Sequence, residues 1–174
     1  MATAVEDRFR APARGRTPAL VAGLILVVAA ATLAGAWILQ LGFGLAPCPL
    51  CLVQRWPYYA ALPLAAGAAW LGHTGRTRAA RAGLGLLALV MLVSAGLGAY
   101  HSGVEWGWWA GPTDCAGTGQ TTQRATDLLK SLNTVRVVRC DEAAARFLGL
   151  SLAGWNALVS LALAVAAAWG LRRA

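Results

Sequence analysis

Residues 17–54 read TPALVAGLILVVAAATLAGAWILQLGFGLAPCPLCLVQ, 38 positions without a charge. A bilayer core about 30 Å thick is crossed by about 20 apolar residues of helix, so this stretch holds one span and a remainder. The span runs from about Pro18 to Leu41. The remainder, Gly42 to Pro49, carries two glycines and two prolines and reads as a short turn at the membrane surface.

Three further charge-free intervals follow, Trp56 to Gly75, Gly83 to Val104 and Phe147 to Leu171. They predict spans over about 56–72, 84–100 and 153–171. Trp56-Pro57-Tyr58-Tyr59 places a proline and interfacial aromatics at a helix start, Pro63 predicts a kink, and Trp155 and Trp169 mark membrane interfaces. The composition agrees: of 174 residues, 58% are hydrophobic and 13% charged, against roughly 25% charged in soluble domains. That excludes an ordinary soluble domain, a disordered or collagenous chain and a small secreted disulfide scaffold. The expected fold is an all-α integral membrane protein: a single membrane domain over residues 1–174, forming an antiparallel four-helix transmembrane bundle with two cysteine-bearing loops. These loops are an active-site turn at 42–55 and a long loop at 101–152.

The basic residues give the orientation, because short loops rich in Arg and Lys stay cytoplasmic. Arg8, Arg10, Arg14 and Arg16 precede the first span, Arg76, Arg78 and Arg81 join the second to the third, and Arg172 and Arg173 follow the fourth. With four spans all of these share one face, so both termini are expected in the cytoplasm. A cleaved signal peptide is the rival reading of the first segment, but its apolar run is too long; Leu45-Ala46-Pro47-Cys48 is a poor lipoprotein box because proline precedes the cysteine.

All four cysteines fall on the opposite face: Cys48 and Cys51 in the first turn, Cys115 and Cys140 in the long loop. In a bacterial inner membrane that face meets the oxidising periplasm. Cys48-Pro49-Leu50-Cys51 is a C-x-x-C pair, of the kind whose thiolates are acidic and whose disulfide exchanges readily. A zinc site built from four cysteines and two static bridges are the competing readings. The 115/140 pair lacks the short spacing of zinc ligands, and no metal is expected. Arg55 is the only charge between Arg16 and Arg76 and stands four residues after Cys51. Helical i, i+4 spacing would lay its guanidinium beside the sulfur, where it favours thiolate and offers donors to a ligand carbonyl. A snorkelling interfacial arginine is the plainer alternative.

A Cys115–Cys140 pairing would close 26 residues and contribute about 3 to 4 kcal/mol in the chain-entropy estimate. Between these cysteines Ala125, Leu128, Leu129 and Leu132 recur at helical spacing against Arg124, Asp127 and Lys130, which predicts a short amphipathic helix on the membrane surface.

The four-span pattern, Cys48-Pro49-Leu50-Cys51, Arg55 four residues on, and a second cysteine pair resemble the DsbB family over most of the chain. Further landmarks are Tyr100-His101-Ser102-Gly103-Val104-Glu105-Trp106 leading to Cys115, then Cys140-Asp141-Glu142, Phe147-Leu148-Gly149-Leu150-Ser151 and Trp155-Asn156. The resemblance implies a quinone-dependent oxidase, using ubiquinone or menaquinone, that keeps a DsbA-like periplasmic thioredoxin-fold protein oxidised. It implies that the partner attacks Cys115, that Cys140 attacks the Cys48–Cys51 bridge at Cys48, and that Cys51 and Arg55 face the quinone. His101 lies near a quinone-side position. Gln54 stands where some members carry an acid. Trp106, Trp108 and Trp109 are candidates for a pocket wall or a surface anchor. Nothing points to nucleic acid; the partners are the thiol protein, lipid and quinone. Two rivals remain: an enzyme resembling vitamin K epoxide reductase, in which the loop pair precedes the C-x-x-C, and a non-enzymatic membrane protein with structural cysteines.

Overall fold

The computed structural model describes residues 13–112 and 139–173. Four long helices account for most of them: α1 (Ala13–Gly42), then, after a one-turn helix α2 (Pro49–Val53), α3 (Trp56–His73), α4 (Thr77–Glu105) and α5 (Leu152–Arg173). Cys115 and the segment expected to form the amphipathic helix lie outside the described residues. Alanine and leucine dominate the long helices; prolines stand at the first turns of α2 and α3, where they cost least, and also inside α1 at Pro18 and α3 at Pro63.

α1 packs on α3, α3 on α4, α4 most extensively on α5, and α5 closes back on α1. Consecutive helices are thus neighbours around a ring. The α3–α4 connection is a tight turn in which Gly75 takes φ 76°, a left-handed conformation open to glycine. Before α5, strands β1 (Arg146–Phe147) and β2 (Leu150–Ser151) form a minimal hairpin, Arg146 opposite Ser151, turning at Leu148 and Gly149, both at positive φ as a two-residue primed turn demands.

The residue sizes run the opposite way from a soluble bundle. The buried seam is rich in small side chains, Ala22, Ala29, Ala61, Ala65, Ala68, Ala164 and Ala167, around Ile25, Leu84, Leu87 and Met91. Large apolar residues such as Leu20, Val27, Leu41, Leu89, Val93 and Val165 point outward. When lipid is the solvent there is no apolar gain from hiding leucine, and helices associate by close backbone packing at small residues. Glycines sit at the tightest approaches: a Cβ on Gly98 would stand 2.7 Å from the Ala157 nitrogen, and one on Gly72 2.9 Å from the Ala19 Cβ.

α1 from Thr17, α4 and α5 are each long and apolar enough to cross a membrane. The chain is therefore a helical membrane protein. α3 has 18 residues, with one proline in its first turn and one, Pro63, inside it, and does not join that set. Helix limits differ from the expected ones chiefly at α4, which continues past Tyr100 through His101 and Ser102 to Glu105. The reason is visible in the packing: Gly103 and Val104 are buried, so this last turn is core rather than loop. The first turn likewise contains helix, because Pro49 fits its opening position and Cys48 caps it.

Candidate functional site

At one end of the bundle Cys48, Val104 and Cys140 form a small buried cluster of their own, with Leu50 and Cys51 against it. Cys48 precedes α2 in extended conformation, and its Sγ accepts a hydrogen bond from the Cys51 backbone N–H at 3.1 Å. The C-x-x-C thus bends into a cap in which one sulfur satisfies a main-chain donor at the helix start. Cys48 and Cys51 are free thiols, the first buried and the second half-buried. Cys140 is buried and disulfide-bonded.

The two free thiols are unequal. Cys51 is held below the ordinary thiol range, first because the Cys48 side chain donates to it; burial works against this, and the Arg55 charge contributes a smaller lowering. Cys48 is pushed well above that range by the same interaction and by burial. In the reduced pair the proton is held more tightly on Cys48 and less tightly on Cys51.

Arg55 does not follow the expected continuous helical spacing from Cys51, because helix is interrupted between Val53 and Trp56. Its guanidinium turns to α1, where Nη1 donates to Gln40 Oε1 at 2.7 Å and the head lies 5.2 Å from the Trp37 ring centre. His101 is 3% exposed, inside the last turns of α4, with Nε2 3.7 Å from Cys48 Sγ. Sγ of Cys48, a ring nitrogen of His101 and Sγ of Cys140 lie within 4.8 Å of one another. Three such donors can hold a soft metal ion only with both sulfurs as thiolates; Cys140 is tied up in its disulfide.

Beside this cluster opens a cavity of about 310 Å³. One wall is apolar and small, with Ala31, Gly35, Ala36 and Leu39 of α1; the other presents Cys51, Gln54, Arg55, His101 and Glu105. Both the size and the mixture suit a small-molecule site. Glu105 Oε1 is 3.9 Å from His101 Nε2, and its carboxylate is almost fully buried. Among the described residues Glu105 Oε2 has no hydrogen-bond partner. Trp106, Trp108 and Trp109 are exposed and stack among themselves and on Tyr100, outside the cavity wall.

Several members of the site carry little signal in the sequence: Gln40 is one neutral residue within the charge-free 17–54 interval, and Glu105 and Asn156 are parts of longer landmarks. A polar run continues inward from Gln54: Asn156 Nδ2 donates to Gln54 Oε1 at 2.6 Å, Tyr58 Oη donates to Asn156 Oδ1 at 2.8 Å, and Ser160 and Ser94 follow at 2.8 Å each. The available signal was an isolated amide in an apolar span, a costly feature that marks an interior polar contact.

Lipid-facing leucines around a small-residue seam, with a C-x-x-C pair and a third cysteine gathered at one end, define a membrane protein built around thiol chemistry. The sequence profile described as "Disulfide bond formation protein DsbB" matches residues 18–170, and the chain belongs to that family. Two relatives, each named Disulfide bond formation protein B, are similar at 30% identity. That of Polaromonas sp. aligns over 154 residues, covering 85% of this chain and 87% of the relative; that of Marinobacter nauticus aligns over 142 residues, covering 78% and 81%. No solved structure matches.

Proposed function

We propose that this chain reoxidises a DsbA-like thioredoxin-fold protein in the periplasm and passes the electrons to a membrane quinone, ubiquinone or menaquinone. In this reading four helices cross the inner membrane, α3 included, both termini are cytoplasmic, and the cysteine end faces the periplasm. The observation that carries it is the approach of Cys140 to within 4.8 Å of Cys48, next to a cavity walled by Cys51 and Arg55.

The relay balances as thiol–disulfide exchange. A partner thiolate attacks Cys115, forming a mixed disulfide and releasing Cys140 as thiolate. Cys140 attacks Cys48; the Cys48–Cys140 bond forms, the Cys48–Cys51 bond breaks, and its electron pair goes to Cys51. A low thiol pKa makes Cys51 a good leaving group. The partner's second thiolate then displaces Cys115 from the mixed disulfide, leaving with its own disulfide formed. Cys115 attacks Cys140, restoring the loop bridge and releasing Cys48 to re-form the bond with Cys51. A quinone supplies the acceptor for the two electrons and two protons of that closure.

The cavity fits such a head group: the apolar α1 wall accepts a flat ring, and the Arg55 guanidinium offers fixed donors to a ring carbonyl. Glu105, with an unpartnered oxygen, can hold a proton at the same wall.

The test is quinone-dependent oxidation of a reduced thioredoxin-fold substrate by the purified protein. Cys51→Ser and Cys115→Ser are expected to abolish turnover, and Arg55→Ala to raise the quinone KM about tenfold, the loss of one charge-assisted hydrogen bond. Wild-type protein that reduces no quinone under these conditions would overturn the reading.

A further inference from the structure

The His101 ring is gripped from two sides. Its Nδ1 lies 2.6 Å from Gln54 Nε2. The Gln54 amide is itself oriented, since Nε2 also reaches the Leu50 carbonyl at 3.5 Å, while Oε1 accepts from Asn156 Nδ2 at 2.6 Å. Asn156 is oriented in turn by Tyr58 Oη donating to its Oδ1 at 2.8 Å. A carbonyl oxygen can only accept, so the Gln54 nitrogen faces both Leu50 and the ring as a donor. Nδ1 is therefore the ring's acceptor, and the proton of the neutral imidazole resides on Nε2. That second nitrogen faces Cys48 Sγ at 3.7 Å and Glu105 Oε1 at 3.9 Å. A ring nitrogen also lies within 4.8 Å of the Cys140 Sγ. Gln54, His101, Cys140 and Asn156 come from separate segments of the chain, and this imidazole joins them.

We propose that His101, locked in the Nε2–H form by Gln54 and Asn156, is a positioning residue that seats Cys140 on Cys48 and so serves the sulfur-to-sulfur step. Exchange needs the attacking sulfur in line with the bond it breaks, and an error of about 1 Å in such placement can cost about a hundredfold in rate. A ring that stands within 4.8 Å of both reacting sulfurs bears on their separation directly. Gln54 and Asn156 act through it, by holding its plane and its tautomer.

This inference rests on the proposed relay, and two assays on the same full-length protein separate their failures. The first is oxidation of a reduced thioredoxin-fold substrate at saturating quinone, which passes through Cys140. The second uses dithiothreitol, small enough to reduce the Cys48–Cys51 bridge directly. His101→Ala is expected to slow the first at least tenfold more than the second, because the second omits the step the ring serves. Gln54→Glu, nearly the same shape, offers only acceptors to Nδ1 and moves the ring proton there; it is expected to reproduce the selective loss. His101→Gln, whose amide reaches toward the same two sulfurs, is expected to restore part of it. An equal fall in both assays would overturn the proposal by placing the role of His101 in the quinone step. No change in either assay would overturn it too. If His101→Ala fails to fold, Gln54→Glu carries the test alone. Wild-type protein inactive in both assays would instead defeat the relay itself.

Discussion

Cys48 and Cys51 are not equivalent. Cys48 caps α2 and its thiol donates a hydrogen bond to the neighbouring sulfur, while Cys51 stands at the cavity wall and accepts it. A thiol with a depressed pKa stays ionised above that lowered value and loses its charge only as pH falls through it. Reduced Cys51 should accordingly react with iodoacetamide at pH values where an ordinary cysteine is already protonated. Cys48→Ala removes the thiol that donates to Cys51, so the midpoint of the Cys51 alkylation profile is expected to move up in pH, with the Cys115–Cys140 pair kept oxidised. An unmoved midpoint would show that the Cys48 thiol is not what holds Cys51 ionised. At this scale the C-x-x-C pair and Arg55 were legible because each is a local anomaly in an apolar stretch. The setting of His101 was not, since the contacts that bury it come from positions 47 and 53 residues away, Gln54 and Cys48.

The helices were largely legible too, because a charge-free interval is a physical requirement of crossing lipid and not a matter of propensity. What the charges could not mark was the end of α4: Glu105 is charged, yet it closes the helix inside the bundle instead of beginning a loop. Nor could they show which small residues touch. Gly96 and Gly98 look alike in sequence, but a Cβ on Gly98 meets the α5 backbone at 2.7 Å and 3.0 Å, whereas one on Gly96 meets nothing within 4 Å. Backbone cannot yield as a side-chain tip can, so Gly98→Ala must push α4 and α5 apart. It is expected to destabilise the protein by about 1 to 3 kcal/mol, the usual cost of overpacking. Gly96→Ala is expected to be neutral or to stabilise by up to about 1 kcal/mol through helix propensity. Denaturation of both variants in the same detergent checks the pair, and equal behaviour would contradict the close α4–α5 contact.

For the molecule as a whole, the open question is parity. Three helices pass as spans on length and hydropathy, and α3, at 18 residues, is about 27 Å long at 1.5 Å per residue, close to the thickness of the hydrocarbon core. Its packing favours the proposed fourth crossing. α3 lies between α1 and α4 along its length and joins α4 through a turn of three residues, so it runs beside helices that cross. The charges agree, since only an even number of spans gathers the Arg76, Arg78 and Arg81 turn with Arg172 and Arg173 on one face. An odd number would put the two termini on opposite sides and the basic turn beside the cysteines. Reporter fusions distinguish the cases: a phosphatase joined after Trp109 is expected to be active in the periplasm, and one joined after Arg76 or at Ala174 inactive, with a fluorescent protein at Ala174 bright in the cytoplasm. Phosphatase activity at Arg76 would mean that α3 does not cross. Cys48 and Cys140 would then have to reach one another from a different arrangement of the membrane, and the relay would lose its geometry.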